Sequence, residues 1–344
     1  MKNLLIICQK VDEGDDLLGF FASWIREFAA HTTRVTVIAL GVGAADMPAN
    51  VQVHSLGKER GVPRWKRWWD FVRLLRREVP RHDAVFCHMS PVFALAAWPF
   101  TAVWRKRLVL WYLHRSTTWR LRLAARLVDR IVTADARSLT LQSRAILSVG
   151  HGIDVRRFAY PERTPPSGRP LRILSVGRLS PIKGFETLIR AAARLANDDI
   201  DCEVRIVGKA VMAGDYAYAR ELSARVARLG LQERVHLFGF VPYRDMPTQY
   251  RWADIVVGCT PPGGIDKVLL EAMAAGCVPL TSNTVMAHQL GEDAGATVFA
   301  WRDADELAAK VAGIADIGGM SERMVARAGM QTVETVVRAI LSVL

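Results

Sequence analysis

The chain has 344 residues, enough for two domains of ordinary size. Hydrophobic residues make up 51% and charged residues 23%, which excludes a disordered or fibrous chain. The formal net charge of +12 favours acidic partners, among them nucleic acid, anionic lipid and phosphorylated substrates, without choosing between them.

The apolar run at 4–8 is too brief for a signal peptide and is followed at once by Asp12, Glu13, Asp15 and Asp16, so it reads as a first strand. A helix is expected over 17–30, strands over 34–40 and 51–56, and a helix over 64–79. Strands at 84–87 and 108–112 flank a helix at 92–104. That last stretch contains Pro99 and falls short of the roughly 20 residues a membrane span needs. A helix at 121–128 and strands at 131–134 and 145–149 complete the first half.

The segment 160–170 is rich in proline and polar residues, as linkers are. After it the alternation restarts. Strands are expected at 171–176, 204–207, 235–238, 255–257 and 278–281, with helices at 185–195, 218–229, 267–275 and 304–314, and a last helical stretch from 322 to the C-terminus. Strands alternating with helices imply βαβ units. The expected fold class is α/β, with two Rossmann-like doubly wound parallel-sheet domains facing a cleft. The expected domains are 1–150, 151–320, and a C-terminal helix at 321–344 packing back on the first domain. Ligands of such sheets bind outside the carboxyl ends of the strands. The fold alone leaves dehydrogenases, kinases, epimerases and glycosyltransferases open.

Cys8, Cys87, Cys202, Cys259 and Cys277 are scattered and form no CxxC pair. They read as buried reduced thiols, with neither a zinc site nor a disulfide framework.

Two segments carry chemistry. In the run from Ser175 to Phe185, Arg178 and Lys183 lie between a strand end and a helix start, flanked by Gly177 and Gly184. Two cations there suit a diphosphate; a solvated basic loop is the bland alternative. In the run from Pro261 to Leu280, Gly263 and Gly264 precede a helix whose N-cap is Asp266. Free backbone N–H groups at that point suit phosphate oxygens. Glu271, among apolar neighbours, calls for a partner, which a ribose diol supplies; a surface glutamate on an amphipathic helix is the alternative.

Gly177-Arg178-Leu179 with Lys183-Gly184, followed by Leu270-Glu271-Ala272-Met273-Ala274-Ala275-Gly276-Cys277-Val278-Pro279, resembles the family 4 retaining glycosyltransferases (glycosyl transferases group 1), which have the GT-B fold. His151-Gly152-Ile153-Asp154 resembles the element that opens the family's second domain. The similarity covers residues 150–300. It implies that Arg178 and Lys183 neutralise the departing donor diphosphate and that Glu271 holds the nucleotide ribose. It places Phe240 and Val241 beside the nucleobase, Gly208 among the donor-binding residues, and His114 near the transferred sugar. Gly263 departs from the pattern, because the family's first glutamate falls there. Asp266 or backbone amides then serve the sugar hydroxyls, or activity is lost. The glycine-rich loop of the first domain is reduced to Gly14 and Gly19.

The expected reaction moves a hexose-type sugar from a UDP or GDP donor to a lipid-linked or cell-envelope glycan acceptor. Fixed cations take the place of a metal, so no metal and no cofactor beyond the nucleotide-sugar co-substrate is expected. An epimerase of the same fold and a non-catalytic nucleotide- or glycan-binding protein are the rivals.

The run from Arg64 to Arg77 is basic and rich in tryptophan. Trp65, Trp68, Val72, Leu75 and Val79 fall on one helical face, which packs on the first-domain sheet or lies on anionic membrane. More cations follow at Arg105, Lys106, Arg107, Arg120, Arg122, Arg126 and Arg130. The expected location is cytoplasmic, peripheral on the inner face of the membrane. Nucleic acid ranks last, since no aromatic RNA motif or helix-turn-helix is visible.

Overall fold

The structure, a computed structural model, describes residues 3–15, 18–159, 168–314 and 316–344. The chain folds as two units, Met1–Gly152 with Gln331–Leu344, and Ile153–Met330. Most of the proline-rich segment 160–170 lies outside the described residues, as do Asp16 and the first residue of the helix expected from 17.

The first unit contains β1 (Asn3–Val11), α1 (Phe21–Ala30), β2 (Arg34–Val42), β3 (Val51–Ser55), α2 (Arg64–Glu78), β4 (Ala84–His88), α3 (Pro91–Val103), β5 (Arg107–Trp111), α4 (Trp119–Leu127), β6 (Arg130–Thr133) and β7 (Ile146–Ser148). Its strands form one parallel sheet in the order β3-β2-β1-β4-β5-β6-β7. Strands covered on both faces must be apolar throughout. Accordingly Leu5, Ile6, Val85 and Phe86 are fully buried.

The second unit contains α5 (Val155–Phe158), β8 (Leu171–Val176), α6 (Phe185–Asn197), β9 (Cys202–Val207), α7 (Ala213–Arg228), β10 (Val235–Gly239), α8 (Met246–Trp252), β11 (Ile255–Gly258), α9 (Lys267–Ala274), β12 (Val278–Thr281), α10 (Ala287–Leu290), α11 (Ala294–Thr297), α12 (Ala304–Ala312) and α13 (Ile317–Gly329). Its parallel sheet runs β10-β9-β8-β11-β12. Successive residues feed opposite layers. Ile173 joins the core with α6, α7 and α12, and Leu174 the core with α8, α9 and α13.

Three sequence expectations need correction. The terminal stretch read as one helix is two. α13 ends at Gly329, and the Thr332 hydroxyl accepts the Thr335 N–H at 3.0 Å to start α14 (Val333–Val343). α14 belongs to the first unit, where it lies against α1 and the Gln331 side chain accepts the His151 N–H at 3.2 Å. α8 is an additional short helix, started by Pro247 in its first turn and burying Met246, Gln249 and Tyr250. In α2 the buried stripe is Phe71, Leu74, Leu75 and Glu78, while Trp65, Trp68 and Trp69 are exposed. The arc that meets the core is set by Phe71, so Trp65 stays in solvent and Trp68 sits half exposed at its rim, its ring 6.0 Å from that of Phe71.

All five cysteines are free and buried. Burial pushes the Cys8 and Cys259 thiols up to about 12.

Candidate functional site

In the second unit the strand order reverses between β8 and β11, and a doubly wound sheet opens its crevice at that switch point. From β8 outward, three adjacent strands end on glycine along the same edge: β8 leads into Gly177, β9 into Gly208, and β10 closes with Gly239. The Gly208 N–H donates to the Gly239 carbonyl at 2.8 Å, and the Gly177 N–H to that of Val207 at 2.9 Å. A Cβ on Gly208 would lie 1.8 Å from the Gly177 carbonyl oxygen. These backbones pass too closely for any side chain at Gly208.

The loop after β8 carries the two cations. A Cβ on Gly177 would lie 2.7 Å from Lys183 Cε, so the lysine chain is laid across that glycine. Gly184 has φ +62°, and a Cβ there would meet the Cys259 carbonyl oxygen at 2.6 Å. That contact presses the loop after β8 against the loop after β11, and only glycine meets both demands. The Arg178 guanidinium is oriented by Asp215, with Nε 3.4 Å from the carboxylate. The Met212 and Val211 amides, with Arg178, hold the Asp215 carboxyl below its ordinary range against the opposing effect of burial. Lys183 has no ion pair among the described residues.

Beyond β11, Asn283 organises the glycine pair. Its Oδ1 accepts the Gly263 N–H at 3.0 Å, and its Nδ2 donates to the Gly264 carbonyl at 2.8 Å. Asp266 caps α9, accepting the Val268 N–H at 3.1 Å. The amides expected to be free before α9 are therefore partly committed. Gly263 donates to Asn283, Val268 to the cap, and Leu269 and Leu270 to the Asp266 carbonyl. Gly264 and Ile265 retain amides without a partner among the described residues.

Glu271 also differs from expectation. It is 3% exposed and does not lack a partner. Lys267, one turn earlier, forms an ion pair with it, and the Tyr250 hydroxyl donates to its other oxygen at 2.9 Å. Lys267 reaches the Tyr243 hydroxyl at 3.2 Å as well. Burial, and then the Glu271 charge, raise both tyrosine hydroxyls well above their usual range. A buried carboxylate is tolerated only when so satisfied.

Phe240 is 40% exposed, and the Lys209 ammonium sits 3.9 Å from its ring centroid. Val241 is half-buried against the core beneath α8 and α9. Arg178, Lys183, Gly208, Gly263, Gly264, Asp266, Phe240, Val241 and Glu271 thus all belong to the second unit. His114 belongs to the first, as an exposed side chain after β5 whose ring lies 5.6 Å from that of Tyr112.

Sequence reasoning missed Asp215, Asn283, Tyr243, Tyr250 and Lys267. Only Lys267 left a local signal, its four-residue spacing from Glu271. The grouping of three acid or histidine side chains close enough for a metal, among the described residues, is Glu27, His31 and Glu334 of the first unit, remote in sequence from every expected donor residue.

The model for glycosyl transferases group 1 matches residues 157–329, half of the chain and nearly all of the second unit. The chain belongs to this family. A D-inositol 3-phosphate glycosyltransferase of Geodermatophilus obscurus is 33% identical over 165 residues, 43% of this chain and 36% of that protein. A lipopolysaccharide core mannosyltransferase, LpcC of Rhizobium leguminosarum bv. viciae, is 29% identical over 156 residues, 44% of each chain. The chain thus spans less than half the length of these curated relatives. The crystal structure of Anabaena HepE in complex with UDP is similar over 99% of this chain and 98% of that one, with a TM-score of 0.75 and 20% identity. That likeness shows the GT-B fold.

Proposed function

We propose that this protein is a retaining glycosyltransferase of the family 4 type, moving a hexose-type sugar from a UDP- or GDP-linked donor without a metal. The observation that carries this reading is the switch point of the second sheet, where Gly177 and Gly208 bring bare backbone up to the crevice between Arg178, Lys183 and the loop before α9. Negative charge grows on the outer phosphate as the nucleoside diphosphate departs. Fixed cations stabilise it without reorganising. Arg178 is pre-oriented by Asp215, and Lys183 is free of competing ion pairs among the described residues. The UDP in the HepE complex is consistent with such a donor. Attack on the face the leaving phosphate vacates, assisted by that phosphate, accounts for retention with no enzymic carboxylate as nucleophile.

The acceptor in this reading is a lipid-linked or cell-envelope glycan, met at the cytoplasmic face of the membrane. LpcC, a lipopolysaccharide core mannosyltransferase, acts in the synthesis of such a glycan. No helix among the described residues is long and apolar enough to cross a membrane. Three neighbouring helices of the first unit carry exposed aromatics amid cations: Trp65 and Trp69 on α2, Trp104 at the end of α3, and Trp119 on α4. Tryptophan and arginine together suit the headgroup layer.

Incubation with UDP- and GDP-sugars, with and without a lipid-linked glycan extract, tests the reading. A transferase consumes donor only with acceptor. An epimerase alters the donor sugar without one, and a binding protein does neither; either result overturns the proposal.

A further inference from the structure

The first unit holds an open cavity of about 420 Å³ at the carboxyl ends of its central strands. Gln9 of β1 and Ser90, just past β4, both line it, and the strand order of the first sheet reverses between β1 and β4. This is the first unit's own switch point, where a doubly wound sheet takes a ligand.

The cavity has two chemically distinct sides. Lys58, Arg64 and Arg67 bring three positive charges to it, and among the described residues no acidic side chain lines it. The nearby acids are spent elsewhere. Glu59 accepts the Ser55 hydroxyl at 2.7 Å and lies 3.4 Å from Arg60, Asp70 pairs with Arg73, and Glu78 with Arg77. Arg67 Nε is shielded from solvent with no hydrogen-bond partner, an uncommon state for a guanidinium N–H. The loop that presents Lys58 is shaped by Gly57 at φ +81° and Gly61 at φ +69°; a Cβ on Gly57 would strike Val62 at 2.4 Å. Opposite the cations, Phe71 and Phe93 form a buried apolar floor, and Trp68, 49% exposed, forms a wall that reaches the surface.

We infer that this cavity binds a phosphate ester with an apolar tail, the phosphate among Lys58, Arg64 and Arg67 and the tail against Trp68 and Phe93. Taken with the transferase reading, on which this step rests, the ligand is the phosphate-bearing end of a lipid-linked acceptor. Arginine offers a planar fork that matches phosphate oxygens. Trp68 shares α2 with the exposed Trp65, one turn before it, which offers a tail an apolar way out.

Calorimetry on the full chain tests this with soluble probes below their micellar concentrations: decyl phosphate, glucose 1-phosphate and uncharged decyl glucoside. Decyl phosphate should bind more tightly than either of the others. Arg64→Gln and Arg67→Gln should each weaken it about tenfold or more, the effect of losing one charge-assisted hydrogen bond. Trp68→Ala should weaken decyl phosphate and leave glucose 1-phosphate unchanged. Whichever of UDP and GDP binds the wild type should bind the same variants as tightly, which shows that they are folded. Decyl glucoside binding as well as decyl phosphate, or an Arg67→Gln variant of unchanged affinity, overturns the anion site. Glucose 1-phosphate matching decyl phosphate overturns the lipid tail and assigns a free sugar phosphate. Failure of the wild type to bind either UDP or GDP would count against the transferase reading and not against the cavity.

Discussion

Lys267 and Glu271 stand one turn apart on α9 and share an ion pair whose second carboxylate oxygen accepts the Tyr250 hydroxyl at 2.9 Å. Removing one partner of such a pair leaves the other charge poorly compensated. The Lys267 side chain keeps 21% exposure, which moderates the cost. Lys267→Met should destabilise the protein by about 2 kcal/mol. Lys267→Met combined with Glu271→Leu should cost less than the sum of the single changes. Urea unfolding of the single and double variants measures both. Strict additivity would mean that the two side chains do not interact.

Arg178→Ala and Lys183→Ala should each lower turnover by about two to three orders of magnitude, the range for lost stabilisation of developing charge. Asp215→Asn should lower it less, because it loosens Arg178 without removing it. Initial rates at saturating donor check the order. Wild-type rates in either cation variant would remove the leaving-group role.

His88 gives the first unit a pH dependence. Its ring is 1% exposed, stacked 3.9 Å from Phe21, and burial followed by the neighbouring His151 lowers it to about 3 from an ordinary 6.5. Below pH 6.5 the unfolded chain binds a proton that the folded one refuses. The stabilisation is therefore complete above 6.5 and is lost as pH falls toward 3, at up to about 1.4 kcal/mol per pH unit. His82, also lowered by burial, acts in the same direction. His88→Phe should flatten the acid slope of stability between pH 6.5 and 4 while the His82 part persists. An unchanged slope would show that His88 titrates normally.

Liposome flotation checks the membrane reading. The protein should float with vesicles containing anionic lipid at low salt and be released as salt rises, since each basic residue near such a surface contributes on the order of 1 kcal/mol within a Debye length. Charge reversal at Arg73 and Arg76, both exposed, should remove the salt-sensitive part of flotation. Trp65→Ser with Trp69→Ser should remove the salt-resistant remainder. A wild-type protein that stays soluble with these vesicles contradicts the proposal.

The parallel strands were legible because sheets covered on both faces demand continuous apolar runs such as Leu4–Cys8. The cation loop was legible because strand end, glycine and helix start are adjacent in sequence. What was hidden depends on distance along the chain. Asp215 reaches Arg178 from α7, and Asn283 reaches Gly263 across twenty residues. The partners of Glu271 were hidden because spacing shows that Lys267 is near but not that Glu271 is buried beside it and beside Tyr250. On α2, periodicity grouped Trp65 and Trp68 with Leu75, whereas packing chose the arc through Phe71 and Leu74.

The most direct test of the donor site is calorimetric titration of UDP and GDP into the wild type and into Glu271→Gln. Glutamine keeps an acceptor for Tyr250 but loses the charge that Lys267 holds in place. One of the two nucleotides should bind the wild type, and its affinity should fall about tenfold or more in the variant, as for a lost charge-assisted hydrogen bond. Equal affinity in both proteins, with the variant folded, would contradict the role of Glu271. No binding of either nucleotide to the wild type would contradict the donor site itself.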